Sequence, residues 1–312
     1  MIAKACTSLR IATRQSPLAL WQAEHVGTLL LQAHSGLAIE LVPINTQGDR
    51  IQDRTLAAMG GKGLFIKELE VALEEQRADI AVHSMKDMPG ELPNGLMIAA
   101  VLQRADARDA LVTSKAKGLE DLPQGARVGS SSLRRQAQLL AARPDLHVEA
   151  LRGNVDTRLR KLDAGEMDAI VLACAGLMRL GLESRITARL DPAISLPAVS
   201  QGVIGIECRS GDLHTRSLLR ALDHAATRIV MDAERAFALR LGGSCQSPIA
   251  AHAHIDGDLL TLDGLVAEPD GSLLLKDSMS GSVQNPAELG RHLGDRILAA
   301  GAGPLLERLR NA

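Results

Sequence analysis

The sequence predicts an α/β protein: two domains of alternating strands and helices, followed by an α+β domain with a three-stranded antiparallel sheet. Three observations carry that expectation. Over the first two-thirds of the chain, short apolar runs alternate with stretches whose apolar residues recur at helical spacing. After about Asp223 the apolar runs are separated instead by Asp256-Gly257 and Pro269-Asp270-Gly271, the turn signals of antiparallel hairpins. A chain of 312 residues is also longer than one core ordinarily serves.

The first run predicts a strand at 9–13, then Ser16 and Pro17 as the N-cap and first-turn proline of a helix. That helix brings Leu18, Trp21, Val26, Leu29 and Leu30 near one face. A strand at 38–44, a helix at about 64–76 and a strand at 78–82 complete a βαβαβ order, which implies a mostly parallel sheet, with residues 83–89 hanging from its end. The second run starts near Asp109, with strands at 110–113, 126–129, 147–151 and 169–173 and helices at about 132–142 and 155–164. A strand within 198–208 arrives once the second domain is complete, and a return to the first sheet is one course open to it. Beyond it come a helix at 227–241, the loop from Gly242 to Pro248, strands at 249–255, 259–266 and 272–275, and a helix opened by Asn285-Pro286. The expected domains are therefore 1–104 with 198–222, then 105–197, then 223–312 carrying the cysteine loop.

Composition narrows the function classes. Hydrophobic residues make up 46% and charged residues 23%, as in a globular protein rather than a disordered one. One Trp, two Phe and no Tyr mean an aliphatic core, and they leave no aromatic platforms for stacking single-stranded bases. A net charge of −2 offers no bulk attraction to a nucleic-acid backbone, so local basic clusters call for a local anion. No stretch approaches the ~20 apolar residues of a membrane span. The first fourteen residues lack the features of a signal peptide, so the expected location is cytoplasmic. Cys6, Cys174, Cys208 and Cys245 form no C-x-x-C pair and no metal-ligand spacing, so neither a zinc site nor a disulfide framework is expected.

In open α/β sheets ligands bind beyond the carboxyl ends of the strands, and here those positions carry charge. Arg14 and Ser16 follow the first strand, and Lys86 and Asp87 the third. Ser130, Ser131 and Ser132 precede Arg134 and Arg135, Arg152 and Arg158 follow the 147–151 strand, and Arg179 follows the 169–173 strand. A lone arginine ordinarily solvates a surface. A series of them at strand ends, each a planar fork suited to carboxylate or phosphate, predicts an interdomain cleft for a polyanion. Asp87 in such a cleft suits stabilising a cationic intermediate and shuttling a proton, while Lys86 offers the alternative of a Schiff base; solvated Lys-Asp neighbours are the plain reading. His83 has no partner identified by spacing and reads as structural. Gly60-Gly61-Lys62-Gly63 lacks the Ser or Thr of a phosphate-binding loop and stands open between a mobile anion-approaching loop and a helix-capping turn. Cys174 and Cys208 end apolar strands as inert thiols, whereas Cys245, in a Gly-Gly-Ser-Cys loop, is placed for a reactive or modified thiol.

Seven segments together resemble the porphobilinogen deaminase family, over essentially the whole chain. They are Arg10-Ile-Ala-Thr-Arg-Gln-Ser-Pro-Leu-Ala-Leu-Trp21, Gly60-Gly-Lys-Gly-Leu-Phe65, Ala81-Val-His-Ser-Met-Lys-Asp87, Gly129-Ser-Ser-Ser-Leu-Arg-Arg135, Leu151-Arg-Gly-Asn-Val-Asp-Thr-Arg158, Ala175-Gly-Leu-Met-Arg-Leu-Gly181 and Leu241-Gly-Gly-Ser-Cys-Gln-Ser-Pro-Ile249. The resemblance implies a monomeric transferase of porphyrin and haem biosynthesis that condenses four porphobilinogen molecules head to tail, losing ammonia each time, into linear hydroxymethylbilane. It implies two domains like periplasmic binding proteins. It also implies a dipyrromethane cofactor joined by a thioether to Cys245. By position, Asp87 matches the catalytic aspartate; Lys86, Asp87, Ser132, Arg134, Arg135 and Arg158 match cofactor-holding positions. Arg14, Ser16, Arg152, Arg158 and Arg179 match substrate-carboxylate positions, and Lys62 and Phe65 belong beside the family's active-site loop.

Ser130 stands where Thr is frequent in the family, Ser200 where Gly is frequent, and Ala58 where some members carry Lys. Two rival functions are a non-catalytic polycarboxylate-binding protein and a pyridoxal enzyme using Lys86.

Overall fold

A computed structural model describes residues 7–46, 66–243 and 247–311. Cys6, Ala58, Lys62, Phe65 and Cys245 therefore lie outside the described residues. The chain divides into two compact units, residues 1–104 with 203–228, and residues 105–202 with 229–312.

In chain order the elements begin with β1 (Thr7–Arg14), α1 (Pro17–Ala33), β2 (Leu37–Ile44), α2 (Lys67–Glu74), β3 (Ile80–Ser84) and β4 (Leu96–Val101). There follow β5 (Asp109–Val112), β6 (Arg127–Gly129), α3 (Leu133–Ala142), β7 (His147–Glu149), α4 (Val155–Asp163), β8 (Ala169–Ala173), α5 (Cys174–Arg179) and β9 (Ala188–Arg189). The chain continues through β10 (Ile204–Arg209), α6 (Leu213–Leu219), α7 (Ala225–Arg240), β11 (Ile249–Asp256), β12 (Leu259–Ala267), β13 (Leu274–Ser282), α8 (Pro286–Ile297) and α9 (Gly303–Asn311).

In the first unit the sheet order is β2-β1-β3-β10-β4. β1 pairs parallel with β2 and β3, and β10 enters antiparallel between β3 and β4. Alternation along each strand sorts its side chains to two faces. Leu9 and Ile11 join Val26 and Leu30 of α1 in one layer, while Ala12 and Ala81 join Leu69 and Leu73 of α2 in another. The strand within 198–208 thus does return to the first sheet, as β10, buried along most of its length.

The second unit repeats the plan in the order β7-β6-β8-β5-β9, with β6 parallel to β7 and β8 and β5 antiparallel to β8 and β9. Leu111, Val128 and Val171 pack with Leu139 of α3; Ala110, Ile170 and Leu172 pack with Leu159 of α4 and Leu177 of α5. The same unit holds the antiparallel sheet β11-β12-β13, whose inner face of Ala251, Ala253, Leu260 and Leu262 covers Phe237 of α7 and Leu293 of α8. Among the described residues no helix is long and apolar enough to cross a membrane.

Several elements differ from expectation. The strand expected at 78–82 sits two residues later, so His83 lies within β3 instead of hanging from its end. Cys174 opens α5 rather than ending a strand, because the apolar run passes from strand to helix with no capping side chain to mark the change. β13 is far longer than 272–275 because this edge strand is mostly polar: Lys276, Ser278, Ser280 and Ser282 all point to solvent.

Ser200 is strained. It is fully buried with φ +59°, its amide donates to Glu234 Oε2 at 2.6 Å, and its hydroxyl finds no partner among the described residues. A left-handed backbone disfavours any residue with a Cβ, and an unsatisfied buried hydroxyl adds to the cost. Ser200→Gly relieves both, and denaturant unfolding is expected to show a stability gain of about 1 kcal/mol.

Candidate functional site

In the first unit, β1 delivers Arg14 at its last residue, and Ser16 two positions on caps α1, its Oγ accepting the Ala19 amide at 3.4 Å. Beside it β3 ends at Ser84 and runs into a single tight turn, Met85–Asp87. A pocket of about 70 Å³ lies between these ends, lined by Arg14, Ser16, Gln22, His83, Ser84 and Asp87, with apolar walls from α1 and β3. The structure thus brings Arg14, Ser16 and Asp87 together, while Lys86 occupies the same turn as Asp87 without lining the pocket. Gln22 and Ser84 are pocket residues that the sequence reading did not single out; Gln22 Nε2 donates to Ser84 Oγ at 2.9 Å. A glutamine within the buried stripe Ala23, Val26 and Leu30 was the available signal. A larger hollow of about 570 Å³ over Pro43, Ile44, Lys67 and Arg77 contains none of the expected site residues.

The position of Asp87 depends on packing beneath it. The Met85 amide donates to Val203 O at 3.0 Å, and its side chain is fully buried over Gly205 of β10. A Cβ on Gly205 would stand 2.1 Å from Met85 Sδ, so any larger residue there would force the Met85 side chain to move.

Buried acids lie behind the pocket. His83 Nε2 and Glu207 Oε2 are 2.9 Å apart with both side chains buried, and Glu207 Oε1 has no partner among the described residues. Burial pushes the carboxyl of Glu70 on α2 up to about 7, with the Glu207 charge adding to the effect, His83 opposing it and Glu74 contributing least. His83 is accordingly both a hydrogen-bond partner of Glu207 and a pocket wall.

In the second unit the centre is Asp109, at the start of β5 and fully buried. Arg134 donates to it through Nη1 at 2.8 Å and Nη2 at 3.2 Å, and Arg135 through Nε at 3.0 Å and Nη2 at 2.7 Å. Ser195 Oγ and Gln201 Nε2 also donate, at 2.8 and 2.9 Å. Burial alone would raise the Asp109 carboxyl, but the two guanidinium charges and their hydrogen bonds outweigh it and hold the group well below the usual carboxylate range. Two cations face one anion, and Arg134 Nε is buried with no partner among the described residues. Ser132 caps α3, accepting the Arg135 amide at 3.4 Å.

Arg152 follows β7, and Arg158 on α4 donates through Nε to Gly153 O at 2.8 Å. Arg179 ends α5 and donates to Gly202 O at 2.7 Å. Burial pulls its guanidinium down to about 10, and among the described residues no carboxylate is paired with it. A desolvated cation with no counter-ion is a ready place for an anionic ligand.

Of the cysteines, Cys174 and Cys208 are fully buried, and burial pushes their thiols up to about 12 and about 11. Neither is a thiolate near neutral pH, so neither suits a covalent anchor.

The family profile described as porphobilinogen deaminase, dipyromethane cofactor binding domain, matches residues 9–217, and that of the porphobilinogen deaminase C-terminal domain matches residues 229–299. Among solved structures the chain is similar to the methionine binding protein MetQ, at 16% identity and TM-score 0.45, over 69% of this chain and 89% of that one. It is similar to a TRAP periplasmic solute binding protein from Desulfovibrio salexigens, at 14% identity and TM-score 0.43, over 70% and 73% of the two chains. For the periplasmic aliphatic sulphonate binding protein SsuA from Escherichia coli the values are 14% and 0.41, over 74% and 70%.

Glu70 makes stability depend on pH. Its carboxyl titrates near 4.5 when exposed and near 7 in the fold, so the folded state holds a proton that the unfolded state releases between those values. Stability therefore falls as pH rises through that window. In Glu70→Gln, denaturant unfolding across the window is expected to lose this slope; an unchanged slope would place the proton elsewhere.

Proposed function

Because the chain belongs to the porphobilinogen deaminase family, we propose that the pocket containing Asp87 is where its chemistry takes place. The family's activity is a transferase reaction in porphyrin and haem biosynthesis: four porphobilinogen molecules are joined head to tail, with loss of ammonia at each step, into linear hydroxymethylbilane. The observation that carries the assignment of the chemistry is the grouping of one carboxylate, Asp87, with the cation Arg14 and the hydroxyl Ser16 in a single small pocket.

That grouping suits the substrate. Porphobilinogen presents a pyrrole N–H together with acetate and propionate groups. Asp87 accepts the N–H, offsets the positive charge that develops as ammonia departs, and relays protons. Arg14 and Ser16 bind substrate carboxylates beside it, and Gln22, fixed to Ser84, holds the pocket wall. Arg152, Arg158 and Arg179 serve substrate carboxylates, and Lys62 and Phe65, in the region after the family's active-site loop, contribute to substrate binding.

The dipyrromethane cofactor supplies, when bound, the primer to which pyrrole units are added. The donor set fits such a group. Arg134 and Arg135 outnumber the single carboxylate between them, the buried Arg134 Nε has an unused proton, and Arg179 has no carboxylate partner among the described residues. Lys86, Asp87, Ser132, Arg134, Arg135 and Arg158 hold the cofactor, and Cys245 is its covalent anchor. The inertness of Cys174 and Cys208 supports that choice. The reading includes a monomer in the cytosol, and three domains at 1–104 with 198–222, 105–197 and 223–312.

Intact-mass measurement tests the anchor. The purified protein is expected to exceed its sequence mass by one two-pyrrole unit, and Cys245→Ala to abolish the excess; an adduct on Cys174 or Cys208 would sink the assignment. Steady-state assays test the carboxylate: Asp87→Asn is expected to lower kcat by about 10²–10⁴-fold with little change in thermal unfolding. Near-normal turnover in that variant would place the reacting carboxylate elsewhere.

A further inference from the structure

We propose that the outer face of the β11–β12 hairpin is a binding site for a divalent first-row transition metal such as Zn²⁺, held by His252, His254 and Asp263. Residues two apart on a strand face the same side, so His252 and His254 project together from β11. Antiparallel register sets Asp263 of β12 directly opposite His252, and Thr261 opposite His254. The imidazole rings stand 6.5 Å apart at 26°, and the three residues each present one ligand atom within 4.8 Å of the others. Among the described residues this is the group of side chains so arranged.

The chemistry of the set selects its ligand. Two imidazoles and one carboxylate suit Zn²⁺, Ni²⁺ or Cu²⁺ and are poorly matched to Ca²⁺ or Mg²⁺, which take oxygen ligands. A tetrahedral Zn²⁺ at about 2.1 Å from each ligand needs them about 3.4 Å apart. His254 is the exposed member of the three, so its ring has open space in which to turn toward a shared ion.

The surroundings permit occupation as well. Toward its other end this face of the sheet is covered: Ala250 and Leu265 are fully buried with Ala137 and Leu196. The cover stops before His254, so the three ligands sit where the strand pair emerges into solvent. Thr261 is fixed to β13 by a 2.8 Å contact between its Oγ1 and Ser280 Oγ, which steadies the floor beside His254. Three protein ligands leave the remaining coordination position to water. A bound ion would clip β11 to β12 a few residues beyond the cysteine loop. Sequence spacing alone does not show the site, because Asp263 arrives from the return strand.

Zn²⁺ and Co²⁺ titrations of the full-length holoprotein test the site. Calorimetry is expected to show one Zn²⁺ bound per chain, with affinity weakened about tenfold or more in His254→Ala and in Asp263→Asn. Zn²⁺ is expected to raise the Tm of the parent protein and not of His254→Ala, whose turnover is unchanged. The Co²⁺ spectrum should show ligand-field bands without thiolate charge transfer. Absence of Zn²⁺ binding, an affinity in both variants equal to the parent's, or a thiolate band would each overturn the proposal; the first two outcomes would leave His252 and Asp263 as an ordinary cross-strand pair.

Discussion

Asp109 opens β5 with no solvent-exposed surface, and a carboxylate so placed remains ionised only if cations and donors surround it. Arg134 and Arg135 reach it from α3, while Ser195 and Gln201 reach it from the segment leading to β10. One buried charge thereby ties three stretches of chain that are distant in sequence. Each guanidinium also donates to a backbone carbonyl, Arg134 to Leu196 and Arg135 to Val171, which fixes both forks against rotation. Such a network adds little to net stability, because its Coulombic gain is largely offset by desolvation. Around Asp109 itself the two guanidinium groups outnumber the carboxylate.

The first unit uses the opposite device. Its pocket is small, and its carboxylate is placed by packing instead of by ion pairing. Met85 must sink into the space that Gly205 leaves empty before the turn can present Asp87, and Gln22 must cross from α1 to Ser84. Behind these lie His83, Glu207 and Glu70, where burial raises the cost of negative charge.

Elements with a strong period and clear caps were legible in the chain itself. Ser16-Pro17 marks α1 and Asp256-Gly257 marks the first hairpin, because each signal is local chemistry. Where the signal was not local it failed. α5 follows β8 inside one apolar run, and β13 is an edge strand whose outward row is polar by necessity. The strain at Ser200 was likewise invisible beyond a residue departing from a family pattern, since its cause is a positive φ and a hydroxyl with nowhere to donate.

By itself the sequence determined the α/β class, the antiparallel sheet at the end, the family, and the residue types able to meet a polyanion. These follow from periodicity, turn chemistry and motifs, all properties of neighbouring residues. Only the tertiary structure decided that Arg14, Ser16 and Asp87 share one pocket, that Arg134 and Arg135 converge on Asp109, and that His83 is bound to Glu207. It also set His252 and His254 across from Asp263. In each case the partners come from different strands or helices. Their meeting depends on strand order and register, which long-range packing sets and no local stretch of sequence encodes.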